Sequence, residues 1–246
     1  ELKLADKKDQ ALIHPDDLKT AIAEFLIHCP VYRYYGHSFP LDHPESLFIQ
    51  AILNRIRKSN AANKKVIALL EKVFLQKPHE GNEDYNTRVA RFYQRCMQFT
   101  GPLMAKGVED TLMYTYNRFI GHNEVGDSPE TFGTTADEFH QAMVERQLDW
   151  PLSLNATSTH DTKRGEDTRA RLNVLTDLSE EWLLTVQEWH KLAKTLNQNN
   201  YPDKNDEYLV YQLLIGNCPM PGEDDDQFGE RLTTFLQKAL REAKVH

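Results

Sequence analysis

Glu180-Glu181-Trp182-Leu183-Leu184-Thr185-Val186-Gln187-Glu188-Trp189-His190-Lys191-Leu192-Ala193-Lys194-Thr195-Leu196-Asn197 decides the fold class. Trp182, Val186, Trp189, Ala193 and Leu196 recur at steps of four, three, four and three, the period of one face of an amphipathic helix. The same period repeats outward from it. Residues 15–28 open with Pro15, Asp16 and Asp17, the chemistry of a first helical turn, and carry Leu18, Ile22, Phe25 and Leu26 as a stripe. Residues 44–58 open with Pro44 and Glu45 and place Leu47, Ala51, Ile52 and Ile56 on one face. Residues 62–75, 83–98, 205–216 and 227–244 follow the same scheme. Strand signals are few: 99–105 and 152–157 are short apolar runs beside Gly or Pro, a length at which strand and helix look alike. The expectation is a mainly α protein, bundle-like, with a few short strands.

Breaks at 76–82, at the Gly-rich 121–135 and at the acidic 217–226 divide the chain. They suggest a helical block over 1–98, an irregular centre over 99–170 and a second helical block over 171–246. With 246 residues the chain can bury a core without disulfide or metal staples. Lys and Arg number 29 against 37 Asp and Glu, a net charge of −8. That balance argues against non-specific nucleic-acid binding and against attraction to anionic membranes. Cys29, Cys96 and Cys218 show no Cys-x-x-Cys spacing, so neither a disulfide framework nor a zinc module is expected, and a cytoplasmic setting fits. No apolar run approaches the roughly 18–20 residues of a membrane span. The start at Glu1, with no initiator Met and no signal-peptide core, leads us to expect a segment of a longer protein. Ten His residues show no helical metal-site spacing, and phosphate-binding Gly-rich loops are absent, so no metal and no cofactor are expected.

Chemistry concentrates in the centre. The first cluster is Asn155-Ala156-Thr157-Ser158-Thr159-His160-Asp161-Thr162-Lys163-Arg164, a His-Asp pair and two cations before a helix expected over 166–175. A carboxylate there suits stabilisation of a developing cation, and the neighbouring His suits a sugar hydroxyl. Ser158, Thr159 and Asp161 are equally good helix N-caps, and spacing alone favours that plainer role. The second is Gly101-Pro102-Leu103-Met104-Ala105-Lys106-Gly107-Val108-Glu109-Asp110-Thr111, where Lys106 and Glu109 are three apart and where Glu109 and Asp110 either charge the first turn of a helix or project into a cleft. The third runs from Asn117-Arg118-Phe119 to His122-Asn123-Glu124-Val125-Gly126-Asp127. Aromatics with His, Asn and Glu line sugar sites; a surface loop turning at Gly126 reads the same way.

These clusters carry a resemblance. Pro30-Val31-Tyr32-Arg33, the 100–111 stretch, Asn117-Arg118, Asn123-Glu124-Val125-Gly126, Trp150-Pro151, Ala156 to Asp167 and Lys238 to Lys244 occur in one order. Together they resemble the maltooligosyltrehalose synthases of the alpha-amylase superfamily. The resemblance implies helical insertions plus part of a (β/α)8 barrel, with residues 99–170 as the barrel segment. It implies conversion of the reducing-end α-1,4 bond of a maltooligosaccharide to an α,α-1,1 bond, without cofactor. It makes Asp161 the carboxylate that steadies an oxocarbenium-like state and His160 a sugar ligand. Lys106 and Glu109 would lie near the reducing-end glucose, and Asn123, Glu124, Lys163 and Arg164 would join the substrate site.

The family's nucleophile lies in a Gly-x-Arg-x-Asp pattern, which is missing from these residues. The isolated segment is therefore expected to be inactive, its partners being the maltooligosaccharide and the remainder of the barrel, with no nucleic acid and no membrane. Two other readings stay open. One is a non-catalytic helical module that binds glucan or protein. The other is a fragment of an alpha-amylase-type glucan hydrolase, which the Met104 to Asp110 stretch argues against.

Overall fold

The structure of the chain, a computed structural model, describes residues 4–5, 7–196, 202–223 and 225–245. Asn197, at the end of the expected 180–197 helix, Asp224 of the acidic segment, His246 and most of 1–6 lie outside the described residues. The chain divides into two compact units, Glu1–Gly107 and Val108–His246.

The first unit is built from α1 (Lys7–Leu12), α2 (Pro15–Ile27), α3 (His43–Ser59), α4 (Lys64–Leu75) and α5 (Glu83–Met104). Each of the last four starts on a side chain that accepts an otherwise orphaned backbone N–H: His14, Asp42, Asn63 and Asn82. Pro15 and Pro44 sit where their missing N–H costs nothing. Phe74 forms the middle of the core, with its ring centroid 5.1 Å from Phe25, 5.2 Å from Phe92 and 5.7 Å from Tyr93. On α3 the buried face is Ile49, Ile52, Leu53 and Ile56, while Leu47 is exposed. Glu45, also buried, accepts from the backbone N–H of Gly36 at 3.0 Å and from the Tyr93 hydroxyl, tying the 30–41 loop to α3 and α5. Burial and the adjacent carboxylate both push the Tyr93 phenol upward.

The short strand expected over 99–105 is helix instead. α5 runs on through Gly101 and Pro102, and a π-helical stretch, Ala105–Leu112, continues from it. Val89, Tyr93, Cys96, Met97 and Thr100 keep a helical stripe going into this region. Gly101 and Pro102 therefore mark no boundary here.

The second unit contains α6 (Met113–Thr115), a 3₁₀ turn (Ile120–His122), α7 (Ala136–Asp149), α8 (Glu166–Asp177), α9 (Ser179–Ala193), α10 (Lys204–Asn217) and α11 (Phe228–Ala243). Its core gathers Tyr114, Ile120, Leu172, Leu209, Leu213, Ala239 and Ala243. α8 and α10 approach closely because Gly216 has no side chain: a Cβ there would lie 2.8 Å from Thr168 Cγ2. α9 lays Trp182 and Trp189 against Tyr208 and Tyr211 of α10. α7, which the hydrophobic period did not reveal, buries none of its residues.

The second expected strand, 152–157, is also absent. Leu152 and Leu154 are 94% and 95% exposed in an irregular segment. A strand needs a neighbour to pair its N–H and C=O groups, and no strand occurs among the described residues. The fold is thus mainly α without the few short strands. Among the described residues no helix is long and apolar enough to cross a membrane.

Candidate functional site

Within the second unit the structure brings the three polar clusters together. The buried Glu124 carboxylate accepts the backbone N–H of Lys163 at 2.8 Å, of Arg164 at 3.2 Å and of its neighbour Val125 at 2.9 Å. Charge-assisted bonds to backbone N–H groups are among the stronger ones, so this side chain clamps the turn that precedes α8. Arg164 is buried and donates from Nη1 to the Asn123 carbonyl at 3.3 Å. Burial pulls its pKa down to about 10, which leaves the guanidinium charged at neutral pH. Asn123 in turn donates to the carbonyls of Met113 at 3.0 Å and Tyr116 at 2.6 Å.

Lys163 binds Asp110 at 3.0 Å and lies 5.4 Å from the Tyr114 ring centroid. Burial alone would lower its pKa. The hydrogen bond it donates to Asp110 and the nearby Tyr114, Asp110 and Glu109 outweigh that and raise it. Glu109 is itself buried on the π-helical stretch, a type of widened turn that recurs at functional sites. Five expected site residues, Glu109, Asn123, Glu124, Lys163 and Arg164, therefore form one charged knot. Asp110 and Tyr114 complete it. Their i,i+4 spacing, which puts an acid and an aromatic on the same side of a helix, was the available signal.

His160 and Asp161 stand on the exposed side of that knot. Thr162 donates its backbone N–H and its hydroxyl to the Thr159 carbonyl at 3.3 and 2.7 Å, and Asp161 N–H donates to Thr159 Oγ1 at 3.3 Å. Neither the Asp161 carboxylate nor the His160 imidazole makes a hydrogen bond or ion pair with the described residues. Asp161 is not the cap of α8. Gly165 occupies that position, and Ser158 Oγ accepts the Glu166 N–H at 3.1 Å. Lys106 is exposed and lies on the same π-helical stretch as Glu109. Among the described residues no group of three or more His, Cys, Asp or Glu side chains is arranged to hold a metal ion.

A rigid turn that presents an unbonded carboxylate beside an imidazole can stabilise positive charge once a ligand covers it and excludes water. It supplies no second carboxylate within the turn to act as acid or nucleophile.

No protein-family model matches the chain. Proteins from two strains of Mycobacterium tuberculosis, each named "Putative maltooligosyl trehalose synthase", are 38% identical to it over 152 residues, which is 62% of this chain and 19% of theirs. Among solved structures, a "hypothetical maltooligosyl trehalose synthase" of Sulfolobus tokodaii superposes with a TM-score of 0.70 at 31% identity, covering 99% of this chain and 29% of that one. The maltooligosyltrehalose synthase of Arthrobacter ramosus gives 0.69 at 28% identity, covering 99% and 28%. The matched region spans about a fifth of the length of the curated relatives.

Proposed function

We propose that this chain, homologous to part of the maltooligosyl trehalose synthases, contributes one catalytic carboxylate, Asp161, to an enzyme that moves the reducing-end glucose of a maltooligosaccharide from an α-1,4 to an α,α-1,1 linkage. As the bond to the leaving glucose breaks, the remaining sugar ring gains positive charge. Asp161 faces that charge as a fixed anion, taking no proton and forming no bond. His160 hydrogen-bonds a hydroxyl of the same ring. Lys106 and Glu109, three residues apart on one helical stretch, serve the reducing-end glucose. Glu124, Asn123, Lys163 and Arg164 hold the turn at the edge of the substrate site. The nucleophile and the proton donor come from elsewhere in the enzyme, as does any barrel strand that would pair with 152–157. This chain alone is then silent, and the chemistry requires neither metal nor cofactor. A cytoplasmic setting suits such a glucan.

The observation that supports this reading is the Asp161 carboxylate, unbonded beside the unbonded His160 imidazole on a turn pinned by Thr159, Thr162 and Glu124. Asp161→Asn in the full-length enzyme tests it. Trehalose-end formation from maltopentaose should fall by about 100-fold or more, with the unfolding midpoint unchanged, because charge stabilisation made in the transition state is lost while the turn is not. An undiminished rate would remove Asp161 from the chemistry.

A further inference from the structure

We infer that a second carbohydrate site lies in the same unit, at the far end of α8 from the His160–Asp161 turn. A cleft of about 450 Å3 opens there, within the roughly 300–1,000 Å3 typical of small-molecule sites. Leu175 and Thr176 contribute to its lining. They lie ten and eleven residues beyond Gly165, about 16 Å along the helix at 1.5 Å per residue. The cleft is therefore not the lip on which Asp161 stands.

Its walls are built. On one side His122 and Phe132 have ring centroids 5.2 Å apart, with Phe119 5.5 Å from His122. Gly121 makes room for Phe119, since a Cβ at 121 would lie 2.7 Å from that ring. His122 is fixed from behind by Asp127 at 2.9 Å. On the other side the Trp182 indole N–H donates to the Tyr208 hydroxyl at 2.9 Å, which holds both rings. Arg118 and Glu130 add one charge of each sign.

This mixture selects a ligand class. The opposed charges and the acid behind His122 disfavour an anion such as a nucleotide, as does the net charge of −8. A purely apolar ligand would cover Arg118 and Glu130 without satisfying them. A neutral pyranose chain meets every requirement. Its C–H faces lie on aromatic rings, and its hydroxyls both accept from Arg118 and donate to Glu130. The occupant is then an α-glucan segment, a choice that rests on the proposed maltooligosaccharide chemistry. The cleft holds a stretch of glucan apart from the reacting end.

Titration calorimetry of maltoheptaose into the 246-residue chain tests this. Phe132 is 74% exposed, so its replacement leaves the core intact. Phe132→Ala should weaken binding about tenfold and Phe132→Tyr should retain wild-type affinity. Equal affinity in Phe132→Ala, or no binding at millimolar maltoheptaose, overturns the second site. The role of Asp161 is read separately, from turnover in the longer enzyme, so failure of the cleft leaves that role standing.

Discussion

The side-chain amide of Gln212 is completely buried on α10 and accepts the backbone N–H of Ile120 at 2.8 Å. Its other end donates to the Asn117 carbonyl at 2.7 Å. One side chain thus reads both edges of a loop, much as a neighbouring strand would, and holds Arg118 and Phe119 at the aromatic cleft.

Gln212→Leu keeps the volume but leaves the Ile120 N–H and the Asn117 C=O without these partners. At about 1–3 kcal/mol for each of these two unsatisfied buried groups, the second unit should lose about 2–6 kcal/mol. All three tryptophans, Trp150, Trp182 and Trp189, lie in this unit, so urea unfolding followed by tryptophan fluorescence reports it directly. An unchanged midpoint would mean the loop is held by other contacts.

Glu124 makes a sharper test of the charged knot. Glu124→Ala removes the acceptor for the amides of Lys163 and Arg164. Amide hydrogen exchange at those two positions should accelerate at least about tenfold. Amides in the middle of α10 should follow only the change in global stability. Equal protection in the variant would show that the turn closes without the carboxylate.

Gly216→Ala isolates a steric effect. Alanine in a helix interior is ordinarily favoured over glycine by about 1 kcal/mol. Here the new Cβ meets Thr168 Cγ2, and Thr168 is held in place by its hydroxyl bond to Asn217 at 2.9 Å. We expect a net loss of about 1–2 kcal/mol. The double variant Gly216→Ala with Thr168→Ser, which deletes only that methyl, should recover it. A stabilised single variant would show that the α8–α10 contact has slack.

Glu207 should make the second unit acid-sensitive. Burial alone would raise its pKa, but hydrogen bonds from Tyr211 and from His190, the latter at 2.8 Å, outweigh burial and lower it below the ordinary 4.5. A carboxylate more acidic in the folded than in the unfolded state stabilises the fold above its unfolded pKa. That contribution disappears as pH falls through the lower, folded value. Urea midpoints of wild type and Glu207→Gln should therefore differ at pH 7 and converge below pH 4.5. A gap that persists at the acid end would point to packing instead of charge.

Helix positions were legible in the sequence because burial imposes a period. The Trp182 stripe and the proline starts at Pro15 and Pro44 all led to helices. Two kinds of element escaped. Gly101 and Pro102 read as punctuation, yet the stripe through Met97 and Thr100 carries the helix past them. α7 buries nothing, so it had no stripe to find; its local signal was the Thr135–Glu138 capping box, in which each residue bonds the other's backbone N–H. The clusters of the candidate site were visible as residue types. Their geometry was not, because Glu124 engages the backbone of a turn some 40 residues away. A side chain that recognises peptide groups leaves no mark on the identity of its partners.

The π-helical stretch Ala105–Leu112 has a consequence for how this region tolerates change. Its hydrogen bonds skip one more residue than those of an α-helix, so a surplus residue is stored in the winding. Deleting one residue there would let the segment relax to ordinary winding and alter the angular phase of everything after it. Asp110 would then point away from Lys163, although both residues were still present. The charged knot depends on a count of residues as much as on their chemistry. A deletion in that interval should be more damaging than a conservative substitution at Glu109 or Asp110.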